Sequence, residues 1–172
     1  MSLLASPGPQ LRAHFDYRKF SESTCRVLFL DPPYHLRHEV RNALERVGHH
    51  VHSIPVPRTD AAEARWIQDL LLSASRCRPD FVLTVNHFGF DAGGRVAGLL
   101  NELDLPTAVW YVDHPEPILC GDAARQVTPN TAVFSWESAW VEPMRAAGFG
   151  HVEYLPLAAA PERCLGLERS NA

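Results

Sequence analysis

Residues 107–116 of this chain read TAVWYVDHPE. The first six residues of this stretch place mainly apolar side chains on both faces of a strand, which suits a central position in a parallel sheet. Titratable side chains follow at once in Asp113, His114 and Glu116. In an open parallel α/β sheet the carboxyl ends of the strands form the ligand crevice, so we expect these three residues to lie at a binding edge.

The same arrangement, an apolar run that ends in polar residues, recurs elsewhere in the chain. The other examples are Asp31 after residues 26–30, Asn86 and His87 after residues 81–85, and Glu137 after Val133-Phe134. Helix-like segments separate the runs, as in successive βα units. We therefore predict an α/β fold, a Rossmann-like doubly wound parallel sheet of about six strands in three layers, with helices on both faces.

The predicted elements follow from these runs and from the turn residues between them. We expect strands at residues 26–30, 51–54, 81–85, 107–112, 132–134 and 152–155. We expect helices at residues 34–47, 91–103 and 137–147, and a further helix that runs from a cap at Thr59 or Asp60 to Cys77. Between residues 115 and 129 we expect an irregular loop with one helical turn at 122–125. In the strand order 3-2-1-4-5-6, Asp31 would lie opposite Asp113 and His114.

The length of 172 residues suits one domain, which would bury about 70% of the surface of the extended chain. We expect the domain at residues 25–157, followed by a tail or the start of an interdomain linker at residues 158–172. Residues 1–24 contain Pro7-Gly8-Pro9 and a polar run, which is typical of a surface arm or a disordered segment.

Charge and hydropathy exclude several classes of partner. The net charge is −4 and the 16 Lys and Arg residues are scattered, so no basic stripe predicts nucleic acid or anionic lipid as a partner. The apolar stretches are far shorter than the roughly 18 to 20 residues of a membrane span, and the first residues do not resemble a signal peptide. We expect a cytoplasmic protein that binds small molecules.

Metal and cofactor motifs are missing from the sequence. The four cysteines form no C-x-x-C pair, and His49 lies on the opposite strand face from His50 and His52, so we predict no metal site. The turn after the first strand lacks the glycines of a dinucleotide fingerprint, and there is no Walker motif, so we predict no cofactor. The glycine-containing segment 89–94 could hold an anion at a helix start, although helix capping is the simpler interpretation.

Two segments carry a resemblance to a known family. Residues 110–115 fit the pattern W-x-x-D-x-P, and residues 148–159 fit G-x-x-x-V-x-Y-L-P-L-A-A. Together they resemble the N-terminal domain of CgeB-like glycosyltransferases, which have two domains of the GT-B type, and the similarity spans roughly residues 26 to 162. The resemblance implies that Asp113, His114 and Pro115 line the acceptor side of an interdomain cleft, with Asn86 and His87 beside them.

The resemblance also implies a division of labour. In such enzymes the C-terminal domain binds most of the donor nucleotide-sugar, and that domain is expected to lie outside this chain. The partners implied are therefore a sugar or glycosyl acceptor, with a nucleotide-sugar bound only through the second domain, and the chain alone is expected to be inactive. The sequence leaves a homo-oligomer open.

Inverting sugar transfer requires a base near the acceptor hydroxyl, and a His or Asp with a tuned pKa can serve. The candidate catalytic residues are Asp113, His114 and His87, and the candidate substrate-binding residues are Asp31, Asn86, Glu116, Glu137 and Trp136. Each has a structural alternative, since an Asp near a proline often shapes a loop and a lone His often only donates a hydrogen bond. Core packing is the simpler use of Trp110 and Trp140, whereas Trp136 could pack or bind a sugar.

Two functions remain open from the sequence. The first is the acceptor-side, N-terminal domain of a glycosyltransferase-like protein. The second is a stand-alone Rossmann-like module that binds or senses a small molecule without catalysis. Continuation of the native reading frame beyond Ala172 would favour the first.

Overall fold

A computed structural model describes residues 7–33, 36–57, 64–119 and 123–158 of the chain. One sheet of six strands forms the centre of the molecule, and all of its pairings are parallel. The strands are β1 (Arg26–Asp31), β2 (His50–Pro55), β3 (Phe81–Val85), β4 (Thr107–Tyr111), β5 (Thr131–Ser135) and β6 (His151–Tyr154). With helices flanking the sheet, this is the predicted α/β, Rossmann-like architecture.

The helices are mostly shorter than the sequence pattern suggests. They are α1 (Pro9–Phe15), α2 (Arg37–Arg46), α3 (Ala64–Cys77), α4 (Arg95–Glu102), α5 (Pro115–Leu119), α6 (Ala123–Gln126) and α7 (Val141–Ala146), with a 3₁₀ turn at Ser138–Trp140 before α7. The expected starts at Tyr34 and at Thr59 or Asp60 lie outside the described residues. The segment expected to be an irregular loop with one helical turn contains two short helices, α5 and α6. None of the described helices is long and apolar enough to cross a bilayer.

The predicted strand order is wrong. The observed order is β2-β1-β3-β4-β5-β6, so β3 lies between β1 and β4. Val27 and Phe29 of β1 pack with α2, whereas Leu28 and Leu30, which point to the other face, pack with α3. With right-handed crossovers, the face on which the connecting helix lies decides toward which edge of the sheet the next strand is added. Because α2 and α3 lie on opposite faces of β1, the direction reverses after β2 and not after β3. The switch point therefore lies between β1 and β3.

Helices cover both faces of the sheet, as predicted. The face that carries Leu28 packs against α3 and α4 over β1 and β3. On the same side of β4, Val109 and Tyr111 pack with Met144 of α7. The opposite face packs against α2, mainly through Val40.

The N-terminal segment, expected as a surface arm or disordered, contributes to the core. Phe15, the last residue of α1, is buried in the same cluster as α3 and α4. The Tyr17 hydroxyl donates a hydrogen bond of 2.7 Å to the carbonyl of Pro79. In the sequence, this segment shows only an aromatic pair, Phe15 and Tyr17, within a polar stretch. Composition alone does not distinguish such a segment from a surface loop.

Candidate functional site

Asn86 connects the carboxyl ends of β3 and β4. Its side-chain Nδ2 donates a 2.7 Å hydrogen bond to the Asp113 carboxylate. Its Oδ1 accepts hydrogen bonds from the backbone N–H groups of Val112 at 2.9 Å and of Asp113 at 3.2 Å. The backbone of Asn86 has a positive φ of 50°, a conformation that Asn tolerates better than most residues. One buried amide therefore fixes both the backbone and the carboxylate at the end of β4.

The residues after β4 form an exposed polar group. Asp113, His114 and Glu116 are all exposed at the end of the strand or in the first turn of α5. The His114 ring packs edge-on against the ring of Trp140, with 4.2 Å between the centroids. Because Asn86 holds Asp113 and Trp140 supports His114, two polar groups reach solvent with their orientation restricted.

The end of β5 lies beside this group. Tyr111 of β4 pairs with Ser135 of β5, and the N–H of Trp136 donates a hydrogen bond to the carbonyl of Tyr111. Trp136 is 37% exposed and Glu137 is exposed. The two strand ends therefore place an indole ring and carboxylates along one edge.

Ser135 shapes the turn that follows β5. Its hydroxyl donates a hydrogen bond of 2.8 Å to the carbonyl of Glu137 and accepts one of 3.3 Å from the N–H of the same residue. Ser135 thus closes a tight turn that presents Trp136 and Glu137 at the edge.

His87 lies beneath the edge and not in an exposed cleft, which corrects the expectation for this residue. It is 8% exposed, its Nδ1 forms a hydrogen bond with the Tyr111 hydroxyl, and its ring edge contacts Phe90. Burial lowers the pKa of His87 to about 3, so the ring is neutral near pH 7. Its Nε2 has no hydrogen-bond partner within the described ranges. A ring in this position is poorly suited to accept a proton from a ligand at the surface.

Asp31 is separated from the group on β4, contrary to the expectation that it lies opposite Asp113 and His114. Strand β3 intervenes, and neighbouring strands lie about 4.8 Å apart. The Asp31 carboxylate forms an ion pair with Arg37 at 3.4 Å, at the start of α2. Asp31 therefore belongs to the switch point between β1 and β3.

The helix start after β3 is capped by its own chain. Asp91 accepts hydrogen bonds from the N–H groups of Arg95 at 3.2 Å and Val96 at 2.8 Å, and its Oδ2 pairs with the Arg95 side chain at 3.1 Å. These hydrogen bonds lower the pKa of Asp91 despite the opposing effect of burial. The Asp91 carboxylate occupies the position where an external anion would bind.

Two residues that shape this region are missed by reasoning from the sequence. Tyr111 is fully buried on β4 and holds His87 through its hydroxyl, and Gln126 of α6 donates a 2.8 Å hydrogen bond to the carbonyl of Asp91. The alternation of β4 places Tyr111 on the same face as Val109, but its partner is set by tertiary packing. Within residues 7–33, 36–57, 64–119 and 123–158, no group of three or more His, Cys, Asp or Glu side chains is arranged to hold a metal ion.

Comparisons with known proteins identify no relative: no family model, no curated protein and no solved structure matches this chain. The function has to be inferred from the side chains at the carboxyl edge. This edge offers fixed hydrogen-bond acceptors, an imidazole and a partly exposed indole, a set that suits a ligand with several hydroxyl groups.

Proposed function

We propose that this chain is the acceptor-side domain of a glycosyltransferase-like protein, and that the ends of β4 and β5 bind the sugar or glycosyl acceptor. The observation that carries this proposal is the fixed carboxylate of Asp113, which is exposed to solvent but held by the buried amide of Asn86 at 2.7 Å. Solvation alone would not require such support, whereas a binding group gains from being held in position.

The neighbouring side chains support a sugar as ligand. The face of an aromatic ring packs against the apolar face of a sugar, and Trp136 offers such a ring. Carboxylates accept hydrogen bonds from hydroxyl groups, and Asp113, Glu116 and Glu137 supply them along the same edge.

In the catalytic part of the proposal, Asp113 or His114 accepts the proton of the acceptor hydroxyl. Both side chains are exposed, in contrast to His87. The donor nucleotide-sugar binds through a second domain, in line with the family resemblance of residues 110–115 and 148–159. The chain alone is therefore inactive in this proposal.

NMR titration of the full chain with methyl glycosides tests the binding site. We expect chemical-shift changes at residues 113–116 and 136–137, and their loss in Asp113→Ala and in Trp136→Ala. Glu153→Ala is the matched control because this carboxylate is exposed on β6, away from the edge. Shift changes that are absent, or that persist in both edge variants, would contradict the proposed acceptor site.

Calorimetry with UDP- and GDP-sugars tests the division between domains. We expect no binding tighter than about 1 mM, which corresponds to about 4 kcal/mol. A micromolar dissociation constant, or sugar transfer by the purified chain, would show that this chain does not depend on a second domain.

The alternative function is a stand-alone module that binds or senses a small molecule without catalysis. The burial of His87 favours it, because one of the three candidate bases is withdrawn from the surface. Joining this chain to a donor-binding domain distinguishes the two functions. If the protein is a transferase, Asp113→Ala lowers its turnover by at least about 10²-fold. If it is a binding module, Asp113→Ala changes only the affinity for the small molecule.

A further inference from the structure

An apolar groove of about 610 Å³ lies on the α2 side of the sheet, above β4 and β5. Ala108 and Ala132, which are register partners on these strands, form part of its floor. On the opposite face of the same strands, Val109 and Val133 are fully buried. Central strands of a parallel sheet normally carry larger side chains on both faces, so the two alanines leave space that branched residues would fill.

Two aromatic rings border this space toward the carboxyl end of the strands. Trp110 and Phe134 are also register partners, and both line the groove half-buried. The indole Nε1 of Trp110 donates a 3.0 Å hydrogen bond to the carbonyl of Leu155, which lines the groove as well. Because its polar atom is bonded to the chain, the indole is held in one orientation and offers the groove an apolar surface.

A third ring, that of Phe20, is held at the groove by an unusual backbone conformation. Phe20 has a φ of 52°, which is uncommon for a bulky residue, yet it is 54% exposed and gains little from burial. Its N–H donates a 2.7 Å hydrogen bond to Asp80, and its ring stacks on Phe81, with 6.3 Å between the centroids. Both rings line the groove. Backbone strain of this kind is typical of binding positions.

The charge and the size of the groove indicate what fits it. None of the described residues that line it is Asp, Glu, Lys or Arg, so a charged ligand would lose hydration without gaining an ionic partner. Its volume lies within the range of about 300 to 1,000 Å³ that small-molecule pockets occupy. The 17 described lining residues are fewer than the roughly 20 to 30 that each partner supplies to a stable protein interface. A small molecule therefore fits the groove better than a second copy of the chain does.

We propose that this groove binds an uncharged aromatic compound, whose rings lie over Ala108 and Ala132. Aromatic rings pack favourably edge-on or offset against one another, and Trp110, Phe134 and Phe20 offer such contacts around the floor. This site is independent of what the carboxyl edge binds.

Fluorescence titration of the full chain with two related dyes tests the class of ligand. N-phenylnaphthylamine is uncharged, and anilinonaphthalene sulfonate carries the same rings with a negative charge. We expect the chain to bind one molecule of the uncharged dye, and to bind the sulfonate at least about tenfold more weakly. Equal affinities for the two dyes would overturn the assignment of an uncharged ligand.

Substitutions locate the binding. Ala132→Phe fills the space over the floor and should weaken binding of the uncharged dye at least about tenfold. Phe20→Gly removes a bordering ring, tolerates the positive φ and keeps the N–H that Asp80 accepts, so we expect binding at least about threefold weaker. Ala13→Phe is the matched control, because it adds the same ring at an exposed position of α1, which packs on the other face of the sheet. It should bind the dye as the wild type does.

The indole N–H signals in NMR spectra give a second readout. Trp110 borders the groove, whereas Trp66 is buried on the other face and donates its Nε1–H to the carbonyl of Gly89 at 3.1 Å. We expect the uncharged dye to shift the Trp110 signal and not that of Trp66.

Three results would overturn the proposal. The first is a Trp110 signal that the uncharged dye does not move at any concentration. The second is unchanged affinity in Phe20→Gly, which decides the matter even if Ala132→Phe fails to fold. The third is a dimeric mass in sedimentation that Ala132→Phe abolishes, which would assign the groove to a second copy of the chain.

Discussion

A single amide side chain joins the ends of β3 and β4. Asn86 is 7% exposed and combines a donor, an acceptor and tolerance for a positive φ, which no other side chain of similar size offers together. Without it, the N–H of Val112 would be buried without its partner and Asp113 would lose its support. Local stability and the geometry of the proposed site therefore depend on the same residue.

Replacing Asn86 separates these contributions. Asn86→Gly keeps the positive φ but loses the side-chain hydrogen bonds, so we expect a loss of roughly 2 kcal/mol in the free energy of unfolding. Asn86→Ala adds backbone strain of about 1 kcal/mol to that loss. Asn130→Ala, which removes an exposed hydrogen bond to Asp104, is the control and should cost less than about 0.5 kcal/mol. Urea unfolding measures all three, and a Gly variant as stable as the wild type would contradict this account.

Asp80 holds the N-terminal segment to the sheet. It is 2% exposed and accepts 2.7 Å hydrogen bonds from the N–H groups of Phe20 and Arg26, and it forms an ion pair with the Arg26 side chain at 3.1 Å. Burial opposes ionisation, but these hydrogen bonds outweigh it and lower the pKa of Asp80. From the sequence, Asp80 is only a turn residue after Pro79, because its partners lie more than fifty residues away.

The Asp80 carboxylate can be tested by one substitution. Asp80→Ala leaves the Arg26 side chain and two backbone donors without their acceptor, and we expect a loss of about 3 to 5 kcal/mol in the free energy of unfolding. Glu102→Ala is the control, because its ion pair with Arg12 at 3.2 Å joins two side chains that are exposed to solvent. Equal losses in the two variants by urea unfolding would contradict the structural role of Asp80.

At the scale of helices and strands, local sequence signals predict some boundaries and miss others. β3 has the predicted bounds, because Pro79-Asp80 and Asn86-His87 interrupt an apolar run on either side. α4 begins four residues after the predicted start at Asp91, since Asp91 caps the helix from outside it. The reversal of strand order depends on the face against which α3 packs, and the apolar stripe of a helix does not specify that face.

The start of α4 gives a prediction with an internal control. Gly94 has a φ of 71°, and a Cβ at this position would lie 2.1 Å from the backbone oxygen of Arg125. We expect Gly94→Ala to lower the free energy of unfolding by at least about 3 kcal/mol, because a backbone must move. Gly98 lies inside the same helix, and nothing lies within 4 Å of the position that a Cβ would take there, so Gly98→Ala should stabilise by about 0.5 to 1 kcal/mol. Thermal unfolding measures both variants against the wild type. An unchanged melting temperature in Gly94→Ala would contradict the first expectation, and a lowered one in Gly98→Ala would contradict the second.

For the whole molecule, the sequence predicts that polar residues gather at the carboxyl edge, but not how deep each one lies. Asp113, His114 and Glu116 are exposed there, whereas His87, which also follows a strand, is buried. The difference arises from the turn after β3, where positive φ angles at Asn86 and His87 direct the chain beneath the edge. Asn tolerates such a conformation, but a positive φ at His87 is not visible in a sequence pattern.

The buried His87 makes the stability of the whole domain depend on pH. The pKa of a histidine in the unfolded chain is 6.5, and burial lowers it to about 3 in the folded protein. Above pH 6.5 both states are neutral and the contribution is fully present. Between pH 6.5 and about 3 only the unfolded chain binds the proton, so folding stability falls as the pH falls, by up to about 1.4 kcal/mol per pH unit.

Urea unfolding between pH 7 and pH 4 measures this dependence. His87→Asn keeps a residue that tolerates the positive φ but cannot titrate, so we expect a smaller loss of stability with acid than in the wild type, whatever its absolute stability. Every other histidine is common to the wild type and His87→Asn, so the difference between their slopes isolates residue 87. Equal slopes for these two proteins would mean that the ring is protonated as readily in the folded domain as in the unfolded chain, which is incompatible with its burial against Tyr111 and Phe90.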